Sequence, residues 1–149
     1  IIIKNTSRGG NTLLNVGPNG RGRFDKRAQD RLDGIAEWMD IHNRSIHNCT
    51  IAPKEFIEPE GCRFTYNPDS NRLYLHIFDW PLKELHLEGF RNRLKYAQLL
   101  NDASEVQFRT SMEDENLCLV SVTPDNAVTL LLPIRPPEVE IPVIELFLR

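Results

Sequence analysis

The chain has 149 residues, 40% of them hydrophobic and 26% charged, and a net charge of −3 at neutral pH. That length suffices for one ordinary domain with a real core, since folding then buries roughly 70% of the unfolded surface. Positive and negative residues mix along the whole length. This excludes the basic footprint of a nucleic-acid or anionic-membrane partner, and no apolar stretch reaches the ~20 residues that cross a bilayer.

In chain order, Ile1-Ile2-Ile3-Lys4 enters an apolar run at once. It has no initiator Met, no signal-peptide h-region and no cleavage pattern, and so reads as mid-protein sequence. Residues 11–16 are nearly continuous in apolar character, which predicts a strand buried on both faces, as in a parallel barrel. Gly17-Pro18-Asn19-Gly20 breaks it. Asp25 is placed as an N-cap, and Ala28, Leu32, Ile35, Ala36 and Met39 fall on one face of the helix that follows. Five basic residues between Arg21 and Arg31 are interrupted by Asp25 and Asp30, with Asp33 close behind, the pattern of a solvated helix face. Strand, glycine-rich turn and helix make one βα unit. Such a unit is no domain by itself, because a parallel strand needs partner strands and a crossover helix needs a sheet to cover.

Pro53 and Pro59, set among Lys54, Glu55, Glu58 and Glu60, mark a connector after which the pattern changes to short strands. The predicted strands are 62–66, 72–78, 84–87, 94–99, 105–109, 117–121, 128–132 and 143–148. Turn signals such as Asn67-Pro68-Asp69-Ser70-Asn71, Glu88-Gly89 and Pro124-Asp125-Asn126 separate most of them. A repeat of about ten residues with alternating polarity predicts an antiparallel sandwich.

Each chemical motif has a plain structural reading beside it. Gly17 to Gly22 looks superficially like a phosphate-binding turn but lacks both G-x-G-x-x-G and Gly-Lys-Ser/Thr, so a tight loop is expected. Of the four histidines, His42, His47, His76 and His86, no pair has the i, i+4 spacing of a helical metal site, and no metal or other cofactor is expected. Cys49, Cys62 and Cys118 are too few and too far apart for a disulfide scaffold or a zinc site; Cys62 and Cys118 are expected as buried thiols. Asp79-Trp80-Pro81 joins an acid to an aromatic that could stack on a sugar, yet Trp80 is expected to pack at the sandwich edge or against the barrel. No nucleophile elbow and no Cys-His signature occurs. Sequons stand at Asn5, Asn43 and Asn48. The last two lie near a helix end where Asn is favoured for backbone reasons, so the count assigns no compartment.

The run Ser7-Arg8-Gly9-Gly10-Asn11-Thr12-Leu13-Leu14-Asn15-Val16-Gly17-Pro18, followed by a helix with Glu37-Trp38-Met39, resembles the end of the catalytic barrel in the α-L-fucosidases of glycoside hydrolase family 29. There a Ser-Lys-Gly-Gly-Asn-Leu-Leu-Leu-Asn-Val-Gly-Pro run precedes a helix containing Gly-Glu-Trp. Asn71-Arg72-Leu73-Tyr74-Leu75-His76-Ile77-Phe78-Asp79-Trp80-Pro81 and Tyr96-Ala97-Gln98-Leu99-Leu100-Asn101-Asp102 resemble strands of the sandwich that follows that barrel. The similarity covers nearly the whole chain but only the C-terminal third of such an enzyme.

The resemblance implies a mainly β fold with an N-terminal βα unit: an antiparallel β-sandwich (51–149) preceded by the last strand and helix of a (β/α)8 barrel (1–50). It implies a parent enzyme that removes terminal α-L-fucose from glycans with retention, through a covalent intermediate. In the family an Asp nucleophile and a Glu acid/base both precede the Ser-x-Gly-Gly-Asn segment. No catalytic residue is therefore carried over to this chain, and its fucosylated-glycan partners would be met through the catalytic portion. Asn15 falls at the C-terminal end of the predicted strand, the face where barrels carry active sites. Its two readings are a supporting role at a substrate site and an amide that satisfies loop backbone. The chain departs from the family at Ile46-His47-Asn48, where Ile-Tyr-Gly is common, so a contact made by that tyrosine is not carried over. The alternative function is a non-catalytic carbohydrate-binding or interaction sandwich. An uncovered βα unit further predicts that the isolated chain self-associates.

Overall fold

The computed structural model describes residues 1–110 and 124–149. Helix α1, Ile2–Thr6, turns the opening apolar run into one short helix with Ile3 and Thr6 buried. Helix α2, Lys26–His42, begins where the sequence places its cap. Asp25 is extended (φ −70°, ψ 161°), and its carboxylate accepts the Ala28 N–H at 2.8 Å, satisfying one of the orphan donors of the first turn. Lys26 with Asp30 and Gln29 with Asp33 add i, i+4 contacts on the solvent side, each worth a few tenths of a kcal/mol, roughly 0.2–0.5. Ala28, Leu32, Ile35 and Met39 are half-buried as expected; Ala36 is exposed. A 3-10 turn, Asn43–Ser45, closes the helix.

Residues 11–16, expected as a strand buried on both faces, form no strand. Leu13 is 96% exposed and Leu14 53%, and no described strand pairs with the segment. Apolar content alone does not make a strand; neighbours must supply the ladder hydrogen bonds, and none lies alongside. Instead Asn5 Nδ2 donates to Thr12 Oγ1 at 3.0 Å, tying the segment to α1. The following loop is ordered by Asn19, whose side-chain oxygen accepts the backbone N–H groups of Arg21 and Arg23.

Seven described strands form two antiparallel sheets. The first has the order β1-β2-β7-β4, built from Cys62–Asn67, Arg72–Ile77, Val143–Leu148 and Leu94–Leu99; the second has the order β3-β6-β5, built from Glu84–Glu88, Ala127–Leu131 and Phe108–Thr110. The sequence places these strands correctly except that β5 is shorter than 105–109. There Glu105 makes only an isolated bridge to Gln98. The predicted strand 117–121, with Cys118, lies outside the described residues.

Strand alternation assembles the core between the sheets. Phe64, Leu73, Leu75, Ile77, Ala97, Ile144 and Leu146 face inward from the first sheet, and Leu87, Val128 and Leu130 from the second, each large side chain contributing about 1.5–3 kcal/mol on full burial. Phe56 and Phe90 fill the end, with ring centroids 4.5 Å apart. Phe56 comes from the connector, which a close backbone approach holds in place. Gly89 has φ +90°, and a Cβ there would collide with the Glu55 carbonyl.

Candidate functional site

The outer face of the first sheet is not solvated in the usual way. On β2, Tyr74 and His76 are as buried as the inward-facing leucines, because the end of α2 and the 3-10 turn cover them. Trp38 Nε1 donates to the Glu140 carbonyl at 2.7 Å, and its ring stacks on His42 at 4.7 Å. Ser45 and Thr65, both fully buried, continue the seam. The Thr65 hydroxyl donates to the Ser45 carbonyl at 2.6 Å, so it can only accept from His76 Nε2, 2.9 Å away. His42 Nδ1 likewise donates to the Trp38 carbonyl at 3.0 Å. Both tautomers are thereby fixed, and His42 Nε2 and His76 Nδ1 are buried acceptors without a donor among the described residues. Burial, followed by the nearby His42, pushes the His76 pKa down to about 3, and burial also lowers that of His42. Both rings are neutral near pH 7.

Beside this seam lies a pocket of about 440 Å³ between the 43–48 turn and the sheet. Glu145 of β7, only 3% exposed, is at its floor. Gln98 Nε2 donates to one carboxylate oxygen at 2.8 Å. The Tyr74 hydroxyl stands 3.4 Å away, an Arg44 guanidinium nitrogen 3.5 Å and Arg72 Nε 3.8 Å. Burial, then the Glu145 charge, raises the Tyr74 pKa well above its usual value, so the phenol stays protonated. Sequence reasoning missed Glu145. Its signal was a lone charge in the middle of the apolar run Val143-Ile144-Glu145-Leu146-Phe147.

The residues singled out from sequence do not converge. Asn15 is exposed in the unpaired 11–16 segment, and no side-chain hydrogen bond to it forms among the described residues; the loop is organised by Asn19. Trp80 donates from Nε1 to the Pro133 carbonyl at 3.0 Å and, partly buried, packs on the core at the sandwich edge. His86 meets Thr129 between β3 and β6 at 2.9 Å. Cys62 is buried and unpaired; burial, then the charges of Asp79 and Glu58, pushes its thiol up to about 11. Burial raises Cys49 to about 11 as well. No group of three or more His, Cys, Asp or Glu that could hold a metal forms among the described residues, and no described helix is long and apolar enough to cross a membrane.

Asn48 sits on the rim of the pocket with φ 58°, a left-handed backbone that favours glycine and, after it, asparagine.

Comparison with known proteins agrees with this geometry. The sequence profile described as Alpha-L-fucosidase matches residues 1–44. The alpha-L-fucosidase of Branchiostoma floridae is 27% identical over 84 residues, 54% of this chain and 18% of that protein. The tissue alpha-L-fucosidase of Bos taurus is 30% identical over 81 residues, 54% of this chain and 16% of that protein. Among solved structures, alpha-L-fucosidase isoenzyme 1 from Paenibacillus thiaminolyticus superposes with a TM-score of 0.83 and 32% identity, over 99% of this chain and 32% of that one. A GH29 alpha-L-fucosidase from Bacteroides thetaiotaomicron shares the fold with a TM-score of 0.81, at 21% identity. The matches thus span less than a fifth of the curated relatives and about a third of the solved chains. In its opening segment the chain matches the alpha-L-fucosidase profile, and over its full length it superposes on about a third of a solved alpha-L-fucosidase, the similarity expected of a C-terminal portion of such an enzyme.

Proposed function

We propose that this chain is the scaffold portion of a retaining α-L-fucosidase that removes terminal α-L-fucose from glycans, and that it supplies no catalytic group. The observation that carries the reading is the superposition over 99% of the chain on only 32% of a fucosidase, together with the exposed apolar side chains of Leu13 and Leu14. In an intact enzyme, residues 11–16 would gain partner strands and complete the barrel ring, with Asn15 on the face toward the substrate. Residues 1–50 would then belong to the barrel and 51–149 to the sandwich, joined by the seam of Trp38, His42, Ser45, Thr65 and His76. Glycan partners would be met through the catalytic portion. Taken alone, the chain would self-associate through its uncovered N-terminal face.

Retaining hydrolysis needs two carboxyl groups about 5 Å apart across one sugar, and the family's pair precedes the Ser-x-Gly-Gly-Asn segment. The 149-residue chain is therefore expected to hydrolyse no aryl α-L-fucoside. Turnover above the enzyme-free control, abolished by replacing one of its own carboxylates, would overturn the assignment. In the intact enzyme Asn15→Ala is expected to lower kcat/KM only modestly, by about tenfold or less; a loss of several orders of magnitude would place Asn15 on the substrate.

A further inference from the structure

The pocket floored by Glu145 has features that a purely structural ion-pair network does not need. A carboxylate offers about four lone-pair positions, and here one short bond, from Gln98, occupies one of them. The other partners stand at 3.4–3.8 Å, beyond the usual range of N–H···O and O–H···O bonds. A charge taken out of water is normally held more closely than this, because its desolvation costs several kcal/mol, on the order of 3–5 when a partner is lost. Glu145 is thus nearly fully buried, under-filled, and adjacent to open space of about 440 Å³, within the volume range of roughly 300–1,000 Å³ typical of small-molecule sites.

The ligand class follows from the lining. Arg44 and Arg72 disfavour a cation, and Glu145 disfavours an anion. What remains is a neutral molecule that presents donors and acceptors side by side. Adjacent hydroxyl groups do this: one donates to the free lone pairs of Glu145 while its oxygen accepts from an arginine. The rim adds a second, independent observation. The Asn48 side chain makes no hydrogen bond among the described residues, although its backbone is left-handed and glycine would be easier there. Asparagine tolerates this backbone better than any residue but glycine, and it puts an amide at the mouth of the pocket. His47 also lines it.

We propose that this pocket is a binding site for a neutral polyhydroxylated ligand, a monosaccharide ring, with Glu145 accepting from its hydroxyl groups and Arg44, Arg72 and Asn48 donating to them. The site lies on the sandwich sheet and needs no catalytic group. Its chemistry is therefore independent of whether the rest of the enzyme hydrolyses fucosides.

The test is a titration of the 149-residue chain with L-fucose, D-galactose and D-glucose in turn, up to about 100 mM, following the Gln98 side-chain amide and the Arg72 Nε–H by NMR. Inorganic phosphate serves as the anionic comparison. Saturable shifts with at least one sugar, at a Kd of about 1–10 mM, and none with phosphate, are expected. Glu145→Gln should weaken binding by about tenfold or more, and Asn48→Gly by about threefold. Asn48→Gly relaxes the backbone and keeps the fold, so it decides the matter if Glu145→Gln does not fold. Absence of saturation with all three sugars, binding of phosphate instead, or sugar binding unchanged in Asn48→Gly and in any folded Glu145→Gln protein would each overturn the proposal.

Discussion

The two ends of the chain solve the same physical problem with unequal success. In the sandwich every described strand has a partner, and its apolar face meets another apolar face; Phe64, Leu73, Leu75, Leu130 and Leu146 are each completely buried. In residues 1–41 the apolar residues are as regular in sequence, yet Leu13, Leu14, Phe24 and Ile41 are exposed. Hydrophobic patterning thus marks which face wants a partner, and only a neighbouring element supplies one. The N-terminal portion holds to the sandwich through α1, which packs near β1 with Ile3 and Thr6 buried, and through Trp38, His42 and Ser45 at the end of α2 and the turn after it.

The largest expected contrast comes from matched deletions in the two regions. Phe64→Ala should lower the unfolding free energy by about 3–5 kcal/mol, because it leaves a cavity between the sheets next to Phe90. Leu13→Ala should change it by less than about 0.5 kcal/mol, since an exposed side chain has little to lose. Urea denaturation of both variants measures the difference. A Leu13→Ala cost comparable to that of Phe64→Ala would mean that the N-terminal segment shares the sandwich core.

Acid should separate the two regions. His42 and His76 are neutral in the seam with their pKa values lowered, so the stability they contribute is complete above the unfolded value near 6.5 and is lost as pH falls below it. For His76 the window runs from 6.5 to about 3. Each unit within it costs about 1.4 kcal/mol, or about 2–3 kcal/mol at pH 4.5. The charged groups packed around the rings do not reverse this sign. Arg63, opposite His76 in the β1–β2 register, is itself a cation and bonds Glu58; Glu145 is engaged by Gln98 and flanked by two arginines. Trp38 fluorescence should therefore report release of the helix at acid pH while near-ultraviolet signals of the sandwich persist, and His76→Gln should flatten the response. Simultaneous loss of both signals would argue against a boundary near residue 50.

The smallest effect on stability should carry the clearest effect on mass. Replacing Leu32 and Ile35 with Lys alters half-buried positions on the face of α2 beside a groove lined by Ile1, Ile2, Leu14 and Phe78. The melting temperature should move little, and light scattering should show a smaller species than the unmodified chain gives, since exposed apolar patches of this kind find partners. A compact monomer for the unmodified chain at high concentration would contradict this picture.

Much of the molecule was legible beforehand. The Asp25 cap, the helix from Lys26, and strands such as Leu94–Leu99 and Val143–Leu148 follow from local signals, because caps, turns and alternating polarity act over a few residues. The opening helix Ile2–Thr6 was not legible, since a short apolar run has no period to read. The candidate sites were less legible still. Asn15 stood out by motif, yet it is exposed and makes no side-chain hydrogen bond among the described residues. Glu145, His42 and His76 carried no motif at all.

By itself, then, the sequence determined the resemblance to the α-L-fucosidases, the strand-rich class and the positions of its turns, all of which depend on residues close together in the chain. Only the tertiary structure decided that β2 is buried on both faces, which tautomers His42 and His76 adopt, and that Arg44, Arg72, Gln98 and Glu145 share one pocket. Those facts depend on groups far apart in sequence, such as Arg44 and Glu145, whose meeting is fixed by sheet register and by where one helix ends.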